Sequence, residues 1–179
     1  MRRRRAHVRH AVTGLILRVF ALNGRLLAAG DALVHDIGLT SARWQVLGAI
    51  ALAHAPQPVA SIARTMGLSR QAVQRTVNDL ATKGLLEFQP NPHHQTAQLV
   101  VLTKQGTLAY NAAHARQAPW ADALADGLRD ADLAVAERVL SRLTERLDDV
   151  ERAGVARVER RGGSRTRVRP QGRFHGQAR

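Results

Sequence analysis

Between Pro58 and Thr103 the chain packs a helix, a tight stop, a second helix and two short strands into one run, and few folds accept that order. Val59–Met66 reads as a short amphipathic helix that Gly67–Leu68 ends. Ser69 opens a second helix, Arg70 to Lys83, which Gly84 closes. A serine hydroxyl accepts one of the free amides at a helix start, and glycine takes the left-handed turn past a helix end. Val73, Val77 and Leu80 fall at i, i+4 and i+7 and form one apolar stripe. Gln71, Gln74, Arg75 and Asn78 occupy a different face at i, i+3, i+4 and i+7. Amide and guanidinium groups are the side chains that pair bidentately with purine edges in the major groove. Ala63 lets the two helices cross closely, Gly67 fits the turn between them, and Val73 plugs the second onto the first. That is the spacing of a helix-turn-helix; by itself it also fits an ordinary helical hairpin.

The residues that follow narrow the choice. Leu85–Leu86–Glu87–Phe88–Gln89 alternates like a half-buried strand, Pro90–Asn91–Pro92 turns the chain, and Gln98–Leu99–Val100–Val101–Leu102 is a second strand. Two strands directly after a recognition helix make a wing. The expected fold is therefore mainly α, a winged helix-turn-helix with a two-stranded β wing, flanked by N- and C-terminal dimerisation helices. The stretches Leu39–Thr40–Ser41–Ala42–Arg43–Trp44–Gln45–Val46–Leu47, Gly67 to Arg75, Lys83–Gly84–Leu85–Leu86, Asn91–Pro92 and Leu102–Thr103 before Gly106 run in order. Together they resemble the successive signatures of MarR-type transcription regulators over about residues 11 to 151. The resemblance implies a homodimer joined through terminal helices, a double-stranded DNA partner with a pseudo-palindromic operator, and an effector cavity near Trp44. At the wing tip the sequence departs from the family. An Asp-Arg-Arg run usually stands there, its Asp orienting an Arg that enters the minor groove. Here the corresponding residues are His94, Gln95 and Thr96, with His93 before them, which puts minor-groove reading by arginine in doubt. The expected DNA-binding set is Ser69, Arg70, Gln71, Gln74, Arg75, Asn78, His93, His94 and Gln95. A metal on His93 and His94 is the weaker reading, because adjacent loop residues rarely hold an ion without further ligands.

The flanks suggest how such a module is used. Val12, Leu15, Ile16, Val19, Phe20, Leu26 and Leu27 give the first helix an apolar face. Thr103 caps a long helix from Lys104 that is expected to kink or break near Pro119. Asp130 is expected to cap a last helix, with Asp132 in its first turn. Leu133, Ala136, Leu140, Leu143, Leu147 and Val150 are spaced as a helix-packing seam. The expected layout is a basic N-terminal tail over 1–10, a dimerisation helix over 11–38, the DNA-binding module over 39–103, dimerisation helices over 104–151 and a basic disordered tail over 152–179.

Charge and composition set the outer limits. The formal net charge is +13, but residues 1–10 supply +5 and residues 152–179 supply +8, so 11–151 sums to zero. Within that core, 39–103 carries +3 and the remainder −3, the polarity that docking one face onto phosphates requires. Cysteine is absent, which excludes disulfides, thiolate metal sites and thiol redox sensing. The apolar stretch from Val12 to Leu27 is interrupted by Thr13, Arg18, Asn23 and Arg25, so neither a membrane span nor a signal peptide is expected. Ser61, Ser69 and Ser141 lack a nucleophile-elbow context, no phosphate-binding loop is present, and no enzyme activity or cofactor is expected. His35, His54 and His114 read as structural or surface residues, and Trp44 as core. A cytoplasmic, sequence-specific, effector-responsive repressor is the reading these features favour. A non-specific DNA-coating protein driven by its Arg-rich ends is the alternative.

Overall fold

A computed structural model describes residues 2–94 and 96–162, and the chain divides into two units, 1–124 and 125–179. In the first unit, α1 (Arg2–Val34) passes through a 3₁₀ turn at His35–Ile37 into α2 (Ser41–Ala51). Then come β1 (Gln57–Pro58), α3 (Val59–Met66), α4 (Arg70–Thr82), β2 (Leu86–Gln89), β3 (Leu99–Leu102) and α5 (Lys104–Ala125). The second unit holds α6 (Asp130–Gly162).

Helix boundaries follow residue chemistry. Thr40 caps α2 by accepting the Arg43 amide, and Ser69 caps α4 by accepting the Ala72 amide at 3.2 Å. Gly67, at φ 64°, takes the left-handed turn that ends α3 at Met66. The core gathers one side of each element: Val46 and Leu47 from α2, Ile62 and Ala63 from α3, Val73, Val77 and Leu80 from α4, Leu86 and Val100 from the strands, and Ala113 from α5. Each fully buried Leu, Ile or Val side chain contributes roughly 1.5–3 kcal/mol by leaving water.

The sheet has three strands in the order β1-β3-β2, where two were expected. In β2 and β3, Leu86 faces Leu102 and Phe88 faces Val100 across an antiparallel ladder; Gln57 and Pro58 pair with Val100 and Leu99 on the other edge of β3. A two-residue strand containing proline has no alternating pattern to betray it, and proline is tolerated there because β1 is an edge.

Several expectations change. The basic stretch 1–10, set apart as a tail, continues α1 as helix from Arg2, and the helical segment of α6 takes in 152–162 of the expected disordered tail. The rest of that tail, 163–179, lies outside the described residues, as does Gln95. α5 runs through Pro119 without breaking: proline removes one amide donor, and the turns on either side keep theirs. Asp130 is the first residue of α6 and not its cap; Arg129 precedes it and grips Asp132 through Nε and Nη2 at 2.8 and 2.9 Å. By length and composition α1 is apolar enough to cross a membrane, with a mean hydropathy of 1.4 in its best window, contrary to the expectation from its interrupted pattern. Hydropathy averaged over a window lets Leu, Ile, Val and Ala outweigh the isolated Arg and Asn.

Both terminal helices leave their apolar sides uncovered within their own units. Phe20 on α1 is 68% exposed and Leu147 on α6 is 63% exposed, and Leu17, Leu22, Leu133 and Leu140 are also open to solvent.

Candidate nucleic-acid interface

The α4 helix presents a polar face because its apolar stripe is fully used by the core. With Val73, Val77 and Leu80 buried, Arg70, Gln71, Arg75 and Asn78 are exposed and Gln74 half-exposed on the opposite side. Gln74 Nε2 donates to Asn78 Oδ1 at 2.9 Å. That bond orders two neighbouring amides on the surface and leaves Gln74 Oε1 as acceptor and Asn78 Nδ2 as donor. Arg70 and Arg75 flank them with fork-shaped donors.

A groove of about 370 Å³ runs between this helix and the wing. Arg70 and Gln74 line it from α4, Phe88 from β2, and His94 and Thr96 from the wing loop. The wing turn is held by Asn91, whose Oδ1 accepts the His93 amide at 3.0 Å and whose carbonyl accepts the His94 amide at 3.2 Å. The Thr96 amide donates to His94 Nδ1 at 3.4 Å, so a neutral His94 ring carries its proton on Nε2. His93 and His94 are both exposed. The sequence set Ser69, Arg70, Gln71, Gln74, Arg75 and Asn78 thus assembles on and beside one helix face. Ser69 serves there as the cap, with its hydroxyl already engaged. Among the described residues no group of three or more His, Asp or Glu could hold a metal ion.

Four features were not legible in the sequence. Arg43 on α2 pairs with Asp79 on α4, and only the fold brings together residues 36 positions apart. Thr103 Oγ1 donates to the Gly84 carbonyl at 2.7 Å and accepts the Gly106 amide at 3.0 Å, so the residue expected only to cap α5 also ties it to the root of the wing. Gly106 is required at that joint: a Cβ there would collide with the Leu85 carbonyl oxygen. Phe88, expected as an ordinary strand residue, lines the groove; it lies two pairs beyond buried Leu86 in the ladder, toward the strand's open end.

A second concavity, of about 540 Å³, opens between α1, α2 and α5 and includes Trp44, which is half-buried and packs against the core as expected. His114 on α5 stacks on Tyr110, with ring centroids 6.0 Å apart.

A helix-turn-helix with an exposed amide-and-arginine face, followed by a β wing, defines the winged-helix class of DNA-binding transcription regulators. Residues 37–95 match the model of the MarR family. Uncharacterized proteins of Mycobacterium tuberculosis and Mycobacterium bovis are 36% identical over 132 residues, covering 74% of this chain and 91% of theirs. The chain belongs to the MarR family. Solved structures share the fold. A MarR/EmrR family regulator from Acinetobacter matches with TM-score 0.70 at 20% identity, over 76% of this chain and 96% of that one. A mutant MarR from E. coli complexed with operator DNA matches at 0.66 and 22%, over 74% and 94%. CouR from Rhodococcus jostii bound to p-coumaroyl-CoA matches at 0.64 and 22%, over 74% and 90%.

Proposed function

We propose that this chain is a dimeric, sequence-specific repressor of the cytoplasm whose hold on DNA responds to a small molecule. The observation that carries the reading is the exposed face of α4, where Gln71, Gln74, Arg75 and Asn78 stand together over a buried apolar stripe. In this reading α4 enters the major groove, Arg70 and Ser69 sit at its leading end, and His93, His94 and Gln95 approach the neighbouring groove or its phosphates from the wing. The E. coli relative with operator DNA bound supports the docking mode. The open apolar sides of α1 and α6 support pairing with the same helices of a second copy, and this is our reading of α1 in preference to a membrane span. The 540 Å³ cavity supports effector binding, as does the CouR complex with p-coumaroyl-CoA.

Selection of bound genomic fragments supplies the operator, and Arg75→Ala tests the assignment. Loss of a bidentate base contact costs about 1–3 kcal/mol at the specific site and much less on random DNA. Equal losses on both would make Arg75 a phosphate contact and remove the basis for sequence reading. A second reading, non-specific DNA coating, is favoured by one observation: the wing tip carries histidines where the family has arginines, while arginines crowd residues 2–5. It predicts no preference for the selected fragments over random DNA once residues 1–10 and 152–179 are removed.

A further inference from the structure

The wing turn ends in a side chain whose charge depends on pH. His94 is exposed there and lines the groove of about 370 Å³ that Arg70 and Gln74 line from α4. An arginine in that place would be charged at every physiological pH, whereas an imidazole changes its charge between about pH 5 and about pH 8. The turn accommodates both forms of the ring. Thr96 stands at Nδ1 with its amide at 3.4 Å and its hydroxyl oxygen at 3.3 Å. The amide donates to Nδ1 of the neutral ring, and the hydroxyl accepts from Nδ1–H once the ring is charged. In either form Nε2 carries a proton, and among the described residues no protein acceptor engages it.

What faces the ring decides when the second proton is taken up. Among the described residues lining the groove, Arg70 is the one permanent charge. Pro58 of β1, Val59 and Ala60 of α3, and Gln98 just before β3 bring no ionisable group. From β2 the groove takes Phe88; strand alternation puts Glu87 on the other face, where its carboxylate accepts from Gln89 Nε2 at 3.1 Å. His93, the neighbour in the turn, is exposed and outside the groove lining. A charged His94 thus shares the groove with a guanidinium and with no carboxylate. Two cations across a groove repel, and an anion between them turns the repulsion into attraction for both.

We infer that a duplex phosphate binds between Arg70 and His94, and that each wing takes up a proton as it does so, so that the grip on DNA tightens as pH falls. The inference rests on the DNA-docking reading above and adds a proton-linked contact to it. Because the contact is to the backbone, it acts on every sequence alike and leaves the preference for the operator unchanged.

The test is binding of the full chain to a duplex of random sequence and to a genomic fragment recovered by selection, from about pH 6 to about pH 8. The unaltered chain should bind both about five-fold more tightly at the acid end, the effect of one exposed ion pair at the upper end of its usual range. The slope of log affinity against log salt should be steeper there by about 0.9 for each wing on the DNA, since one more phosphate is neutralised. Two variants alter only an exposed side chain of the wing turn. His94→Gln should hold affinity near the alkaline value at either pH, and His94→Arg near the acid value with the steeper salt slope throughout. His93→Gln should keep the pH dependence. A pH dependence that survives His94→Gln, or its absence from the unaltered chain, overturns the inference while leaving sequence reading by α4 intact wherever the selected fragment still outcompetes random DNA. Loss of that preference sinks sequence reading alone, because random DNA reports the proton-linked contact by itself. Binding to neither duplex overturns both.

Discussion

Arg43 Nε donates to Asp79 Oδ2 at 2.6 Å, so α2 grips the helix proposed to read DNA from behind, one residue beyond Asn78. The pair is only partly shielded, with side-chain exposures of 27% and 42%. Its contribution to folding is accordingly small, about 1 kcal/mol or less. Its larger effect is to neutralise the one carboxylate on α4. Arg43→Ala should therefore weaken DNA binding by about five-fold, equivalent to about 1 kcal/mol, while barely lowering the melting temperature. Adding Asp79→Asn should recover most of the affinity. A filter-binding series that shows Arg43→Ala unchanged would place Asp79 too far from phosphate to matter.

Assembly is checked through α6. Leu143 sits half-buried in the seam that also holds Leu140 and Leu147, both exposed. Leu143→Asp is expected to convert a sedimenting dimer into a monomer at micromolar concentration and to abolish operator binding. Two recognition helices on one side of the duplex call for half-sites about 10 base pairs apart, centre to centre. An unchanged mass for the variant would remove the seam from the interface.

The arginines at the two ends make a prediction about salt. Residues 1–9 and 163–179 each contain five arginines and no acid. Each phosphate neutralised on duplex DNA contributes about −0.9 to the slope of log affinity against log salt. Deleting both segments should flatten that slope by several units and weaken binding to all sequences alike. An unaltered slope would show that neither end touches DNA.

Acid stability offers a test of the first unit. Arg116 Nη2 donates to Asp36 Oδ2 at 2.6 Å, and this bond holds the Asp36 carboxyl below the usual aspartate range. A carboxyl whose pKa falls on folding adds stability above its unfolded value and loses it as pH drops through the folded value. Melting temperature should therefore be level near neutrality and decline in the acid range below ordinary aspartate titration, with Asp36→Asn showing a shallower decline. Asp36 is solvent-exposed, so the difference should be small. Identical slopes for both proteins would mean the pair does not persist in solution.

What could be read from the sequence is what depends on neighbours in the chain. Ser69, Gly67 and Gly84 mark boundaries through backbone chemistry that acts over one turn, and the apolar stripe of α4 is a local periodicity. What depends on folding stayed hidden. Arg43 and Asp79 carry no mutual signal, β1 is too short to alternate, and the role of Gly106 emerges only when α5 presses on Leu85. Pro119 could be read as a kink or a break; that the helix continues through it depends on the turns on either side, which the proline itself does not reveal. A cavity near Trp44 follows from the resemblance alone; that Tyr110 and Trp120 share its wall does not, because no periodicity links residues on two helices.

The Thr103 hydroxyl bears on more than helix capping. It binds the Gly84 carbonyl, where the chain leaves α4 for the wing, and the Gly106 amide, where α5 begins. α5 carries Tyr110, Gln117 and Trp120 along one wall of the cavity. One helix thus joins the cavity wall to the wing root, and a single side-chain oxygen makes the joint. Trp120 stands some four turns along the helix from that joint. In the effector-responsive reading proposed above, Thr103→Val removes that joint and should uncouple ligand binding from DNA binding.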